Sequence, residues 1–169
     1  MDDTRWLDAE QQRTWRCFLA ASRLLFDRLD RQLQRDSGLP HAYYEILVRL
    51  SEAPNRTLRM SQLASSSLSS RSRLSHAVAR LEEAGWVRRR VCPTDRRGAL
   101  AELTPEGMAQ LEAAAPGHVE AVRSFLFDQL TCEQQAALRE ISDALVACLA
   151  DEPGRLLDSA GPQRPVDVP

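Results

Sequence analysis

Residues 70–103 read SRSRLSHAVARLEEAGWVRRRVCPTDRRGALAEL, and the change of period inside this stretch decides the fold. At about 100° per residue, Leu74, Ala77, Val78 and Leu81 share one side of a helix over residues 71–84, which marks the core face. Ser72, His76 and Ala79 fall opposite, with Arg73 and Arg80 on one flank and Ser75 on the other. Ser69 or Ser70 is placed to cap this helix, and Gly85 to end it in a left-handed turn. After Gly85 the pattern becomes extended. Trp86–Cys92 and Ala99–Leu103 flank the turn residues Pro93-Thr94-Asp95-Arg96-Arg97-Gly98, which reads as a β-hairpin.

The solvent face of the 71–84 helix carries small hydroxyls, a histidine and arginines, with no acid before Glu82. Small side chains allow close approach to a major groove, and arginine and histidine can donate to base edges or phosphates. The candidate DNA contacts on this helix are Ser70, Arg71, Ser72, Arg73, Ser75, His76 and Arg80. At the hairpin tip, Arg96 and Arg97 are suited to a minor groove, where the negative potential is focused. Asp95 is expected to orient a neighbouring arginine through a charge-assisted bond. The competing reading is a solvated charged face with an incidental hairpin. It weakens because a short helix, a turn, a reader helix and a hairpin follow in sequence, the order of a winged helix-turn-helix.

Working outward, Trp15, Phe18, Ser22, Leu25, Leu29 and Leu33 mark one face of a long helix over about Ala9–Arg35, widened by Leu19 and Phe26. Asp36-Ser37-Gly38-Leu39-Pro40 ends it. A second helix is expected over His41–Ala53, carrying Tyr44, Leu47, Val48 and Leu50, and Pro54-Asn55 breaks it. Thr57-Leu58-Arg59 reads as extended. Ser61 reads as the cap of a short helix over Gln62–Ser66 that buries Leu63 and Ala64. Thr104-Pro105-Glu106 opens a helix reaching Gln129 or Leu130, bent near Pro116-Gly117. Thr131-Cys132-Glu133-Gln134 has the form of a capping box before a last helix striped with Leu138, Ile141, Leu145, Cys148 and Leu149. From Asp151 the chain is rich in proline, glycine and acids, so residues 151–169 are expected to be a mobile tail.

Composition sets outer limits. With 43% apolar and 27% charged residues, the chain falls in the ordinary globular range. No apolar run approaches the ~20 residues needed to span a bilayer, and the acidic N-terminus reads without a signal peptide, so a cytoplasmic location and no membrane partner are expected. The net charge of −2 conceals an asymmetry. Between Arg56 and Arg97 ten arginines face three acids; from Thr104 onward eleven acids face four arginines. A concentrated basic segment on an acidic scaffold points to a polyanion-binding surface. Cys17, Cys92, Cys132 and Cys148 lack metal-ligand spacing, so no metal or other cofactor is expected, and all four read as buried or half-buried thiols. The three histidines, His41, His76 and His118, fall in separate segments, and neither a phosphate loop nor a carboxylate pair stands out; an enzyme is disfavoured.

Taken together, Arg59-Met60-Ser61-Gln62-Leu63-Ala64, residues 70–82, Gly85, Pro93–Gly98 and Leu103-Thr104-Pro105-Glu106-Gly107 resemble the MarR family of winged-helix transcriptional regulators over roughly residues 10–150. His76 departs from the arginine frequent at that position. The resemblance implies a mainly α fold: an N-terminal dimerisation helix (1–35), a winged helix-turn-helix DNA-binding region (41–103) and C-terminal dimerisation helices (104–150). It also implies a homodimer on double-stranded DNA with a pseudo-palindromic operator, acting as a repressor. The apolar surplus on the first and last helices agrees with dimerisation. A small aromatic ligand is the effector the resemblance implies, with Trp15, Phe18, His41, Tyr43 and Tyr44 as candidate contacts beside Leu19 and Leu47. An alternative is thiol-based redox sensing through Cys17 or Cys92. An alternative of another class is a winged-helix protein-interaction module without DNA binding.

Overall fold

The computed structural model describes residues 4–66, 71–92 and 95–149, and for residues 65, 66, 71 and 95–97 only the backbone. Ser70, Pro93, Thr94 and the 151–169 tail lie outside the described residues, as do the side chains of Arg71, Asp95, Arg96 and Arg97.

The order is α1 (Ala9–Ser37), α2 (His41–Glu52), β1 (Thr57–Arg59), α3 (Met60–Ser66), α4 (Arg71–Glu83), β2 (Val87–Cys92), β3 (Asp95–Leu103), α5 (Pro105–Phe125) and α6 (Cys132–Leu149). This is a mainly α winged helix-turn-helix, as expected from the sequence. Helix α1 opens with a reciprocal capping box: Asp8 accepts from the Gln11 amide at 2.8 Å, and Gln11 accepts from the Asp8 amide at 3.1 Å. Only the C-terminal part of α1 is buried, through Leu29, Gln32 and Leu33. Leu33 joins one packed cluster with Leu47 and Leu50 of α2, Leu63 of α3, Val78 and Leu81 of α4, Val87, and Leu111 and Ala114 of α5. Burying side chains of this size stabilises by about 1.5–3 kcal/mol each, which makes this cluster the element that seats the helix-turn-helix.

The three strands form one antiparallel sheet in the order β1-β3-β2. β1 pairs with β3 from Thr57↔Glu102 to Arg59↔Leu100. β2 pairs with β3 from Val87↔Leu103 to Val91↔Ala99, then through an irregular step to Cys92↔Asp95. Beyond Leu100 the hairpin therefore has two strands only.

Several local expectations are corrected. Ser61 lies inside α3 and does not cap it; the Arg59 amide donates to Gln62 Oε1 at 3.0 Å, which places the cap two residues earlier. The return strand starts at Asp95, not Ala99, because backbone pairing extends into the turn-rich segment. α5 ends at Phe125 with Pro116 inside it, and a short 3₁₀ turn, Phe127–Gln129, follows. α1 runs two residues past Arg35, and α2 stops at Glu52. The box at the start of α6 is confirmed: the Thr131 amide donates to Gln134 Oε1, and the Gln134 amide to Thr131 Oγ1. Among the four thiols only Cys92 is buried; Cys17, Cys132 and Cys148 are exposed.

Candidate nucleic-acid interface

Helix α4 presents its two faces as its periodicity requires. Leu74, Ala77, Val78 and Leu81 are buried, while Ser72, Arg73, Ser75, His76 and Arg80 are exposed. The turn after α4 is a Schellman motif. Gly85 takes φ 78°, its amide donates to Glu82 O at 3.0 Å, and the Trp86 amide donates to Leu81 O at 2.9 Å. A left-handed residue is needed there, and glycine adopts it without a Cβ clash. The turn throws the chain directly into β2.

Thr104 locks the same turn from the other side. Its hydroxyl donates to Gly85 O at 2.7 Å and accepts from the Gly107 amide at 3.0 Å, capping α5; its own amide donates to Trp86 O at 3.1 Å. The reader helix, the root of the wing and the start of α5 are thus tied at one point.

The arginine cluster is partly neutralised from within, which charge counting did not reveal. Arg80 pairs with Glu83 at 2.8 Å, Arg89 with Glu82 at 2.7 Å and Arg90 with Glu102 at 3.1 Å. Arg88, exposed on β2, has no ion pair among the described residues. The Arg89 guanidinium and amide hold the Glu82 carboxyl below the usual carboxylate range. Glu82, one of the three acids in the basic segment, and Glu102, beyond it, each take up one wing-root arginine. Opposite-sign residues that are diagonal neighbours on one face of facing strands (Arg90 and Glu102) and one turn apart on a helix (Arg80, Glu83) are the signal that could have found two of these contacts.

A family model described as the MarR family matches residues 37–98. Sco3205, a MarR family transcriptional regulator from Streptomyces coelicolor solved in complex with DNA, is 55% identical and has a TM-score of 0.84 over 90% of this chain and 98% of its own. This chain belongs to the MarR family. AbsC, a MarR family transcriptional regulator from the same organism, is 44% identical with a TM-score of 0.76, covering 84% of this chain and 93% of AbsC. The HTH-type transcriptional regulator PecS of Dickeya dadantii (strain 3937) is 33% identical over 105 residues, 61% of this chain and 63% of PecS, so that match spans a little under two thirds of the relative. Membership of the MarR family makes the chain a transcriptional regulator and not an enzyme. Among the described residues no helix is long and apolar enough to cross a membrane.

The aromatic candidates of this MarR-family chain separate into two groups. Trp15 and Phe18 stack on one another on α1, centroids 6.2 Å apart, and both are half exposed. His41 and Tyr44 meet elsewhere, around His118 of α5, a residue the sequence reading set apart. The His118 ring lies 5.5 Å from His41 and 4.5 Å from Tyr44, and Phe26 meets the edge of His41 at 5.7 Å. Tyr43 is half-buried against the core. His118 shares a helix face with buried Leu111, Ala114 and Ala121, a spacing that marks it as inward-facing. His118 Nδ1 and Gln32 Oε1 are both buried with no hydrogen-bond partner among the described residues. Asp30 fixes the start of α2 nearby by accepting from the His41 amide at 2.9 Å. Burial, and to a lesser degree Glu52, pushes the Tyr44 phenol up.

Burial, followed by the neighbouring His41, lowers His118 to about 4. An unfolded imidazole titrates near 6.5, so between these values the unfolded chain binds the extra proton and is favoured. Stability is therefore full above about pH 6.5 and lost progressively as pH falls toward 4. With the ring only half desolvated, the loss is expected to be about 1–2 kcal/mol. Urea midpoints at pH 7.0 and 4.5 check this. His118→Phe should flatten the difference, and an unchanged pH profile in that variant would overturn the assignment.

Proposed function

We propose that this chain is a homodimeric repressor that reads a pseudo-palindromic operator, with one α4 helix per half-site. The observation that carries the reading is the exposed face of α4: Ser72, Arg73, Ser75 and His76 stand clear of the core with no acid among them, beside a projecting wing. In this reading Ser70, Arg71 and Arg80 join that face at the major groove, and Arg96 and Arg97, aided by Asp95, enter the minor groove. The DNA complex of Sco3205 at 55% identity supports the same use of the fold.

The second copy is expected along the first and last helices. Among exposed residues are Trp15, Phe18 and Leu24 of α1, and Ile141, Leu145 and Leu149 of α6, and α6 has no buried residue at all. Two such faces can cover each other. A small aromatic effector is proposed for the junction holding His41, Tyr43 and Tyr44, where the free Nδ1 of His118 supplies a polar anchor. Trp15 and Phe18 belong to this site only through the dimer. A cytoplasmic location accords with this role.

A gel-shift against the region upstream of the protein's own gene, together with a selected duplex library, tests the reading. Salt-sensitive binding is expected. Arg97→Ala should weaken binding about tenfold to all sequences and make the log–log salt slope shallower by about 1. His76→Ala or Arg73→Ala should relax base preference at one position by about 1–3 kcal/mol. Absence of any salt-sensitive shift would sink the DNA reading. Adding aromatic acids or peroxide to the bound complex separates ligand release from thiol sensing at Cys17, which is exposed, or Cys92, which is buried.

A further inference from the structure

We infer that Glu82 is a positioning residue: its grip on Arg89 fixes the angle between the reader helix and the wing, so that both reach the same duplex. The inference rests on the DNA reading above.

The wing needs such a fixture because of how it is supported. β1 backs β3 only as far as Leu100, opposite Arg59 and Arg90. Past that level the hairpin has two strands, and its register slips between Val91 and Cys92. Two-stranded ribbons are marginal by themselves and twist readily. Side-chain packing does not fill the space beside α4 either. A groove of about 330 Å3 has Leu74 and Ser75 of the reader helix on one side and Arg89 and Ala99 of the wing on the other.

Glu82, in the last turn of α4, reaches β2 with both oxygens. Its Oε1 accepts from the Arg89 amide at 3.1 Å, and its Oε2 accepts from Arg89 Nε at 2.7 Å. β2 is an edge strand, so the Arg89 amide points away from β3 and is free for this use. The contact therefore holds backbone as well as side chain, unlike an ordinary ion pair between two mobile arms. Arg90 does not compete, being paired across the hairpin with Glu102. A carboxylate left open on this face would repel phosphate; paired in this way, it carries no net penalty for an approaching duplex.

Holding two groove-binding elements at a fixed angle makes the second contact intramolecular once the first has formed. Loss of the grip is then felt through the wing alone. The test compares full-length wild type, Glu82→Ala, Glu82→Gln and the exchange Glu82→Arg with Arg89→Glu, the first two variants also in an Arg97→Ala background, on a selected duplex. Glu82→Ala should weaken binding about tenfold in the wild-type background and less than twofold beside Arg97→Ala. Glu82→Gln keeps an acceptor for the Arg89 amide and should recover part of the loss. The exchange restores opposite charges without the backbone bond and should recover none.

An equal loss in both backgrounds, or full recovery by the exchange, would overturn the inference. If Glu82→Ala fails to fold, Glu82→Gln carries the same comparison. Should wild type bind no duplex, the DNA reading falls, and amide exchange in the free protein still judges the grip. Faster exchange at the Arg89 amide, with α5 unchanged, is the expected result for Glu82→Ala; unchanged exchange there refutes it.

Discussion

Replacing Gly107 with alanine is expected to destabilise the folded chain by about 3 kcal/mol or more, lowering Tm by about 6–12 °C. A Cβ built at Gly107 would lie 2.1 Å from Trp86 O and 2.8 Å from Leu103 Cδ1. The nearest atom is backbone, and that carbonyl is already held by the Thr104 amide. It cannot yield without pulling on the turn that joins α4 to β2. Alanine is ordinarily the better helix former, so the sign of the effect opposes propensity and isolates the packing. A thermal melt checks it, and a Tm within about 2 °C of wild type would show that the helix can shift away.

The second large effect is on assembly. Ile141→Asp with Leu145→Asp places two charges on the apolar stripe of α6, where Ile141 is 58% and Leu145 43% exposed in the single chain. The fold of the chain itself should survive, because neither side chain belongs to its core. Light scattering is expected to show a monomer where wild type is a dimer. Operator affinity should then fall by about 10²–10⁴-fold, since the two half-sites are no longer engaged by linked readers. A variant that remains dimeric, or a wild type that is monomeric at micromolar concentration, would remove α6 from the proposed interface.

What the sequence made legible follows from which forces are local. The core face of α4 could be read because a 3.6-residue period and burial coincide at Leu74, Ala77, Val78 and Leu81. The α6 cap was legible because Thr131 and Gln134 satisfy each other within one turn. The α3 cap was misread for the same reason inverted: Ser61 has the right chemistry, but Gln62 reaches back to Arg59 and sets the start. The length of the wing turn depended on pairing between Cys92 and Asp95, which turn-forming residue types do not encode. The meeting of His41 with His118, 77 positions apart in sequence, depends on how α5 crosses α1 and α2. The candidate reader face was therefore available from the sequence, whereas the Glu82 contact with Arg89 and the histidine cluster behind the helix were not.

Helix α1 has 29 residues, a rod of about 43 Å at 1.5 Å per residue. Leu33 near one end is packed in the same cluster as Val78 and Leu81 of the reader helix, while Trp15 and Phe18 near the other stand on the surface proposed to meet a second copy. No joint separates the two ends. In the proposed dimer, a tilt of about 10° at the exposed end would carry the far end by about 7 Å, the height of about two base pairs. Two readers that must sit one helical turn apart, about 34 Å, tolerate no such error. An effector would then need only to tilt this lever to empty the operator, leaving every buried contact of the winged core as it was.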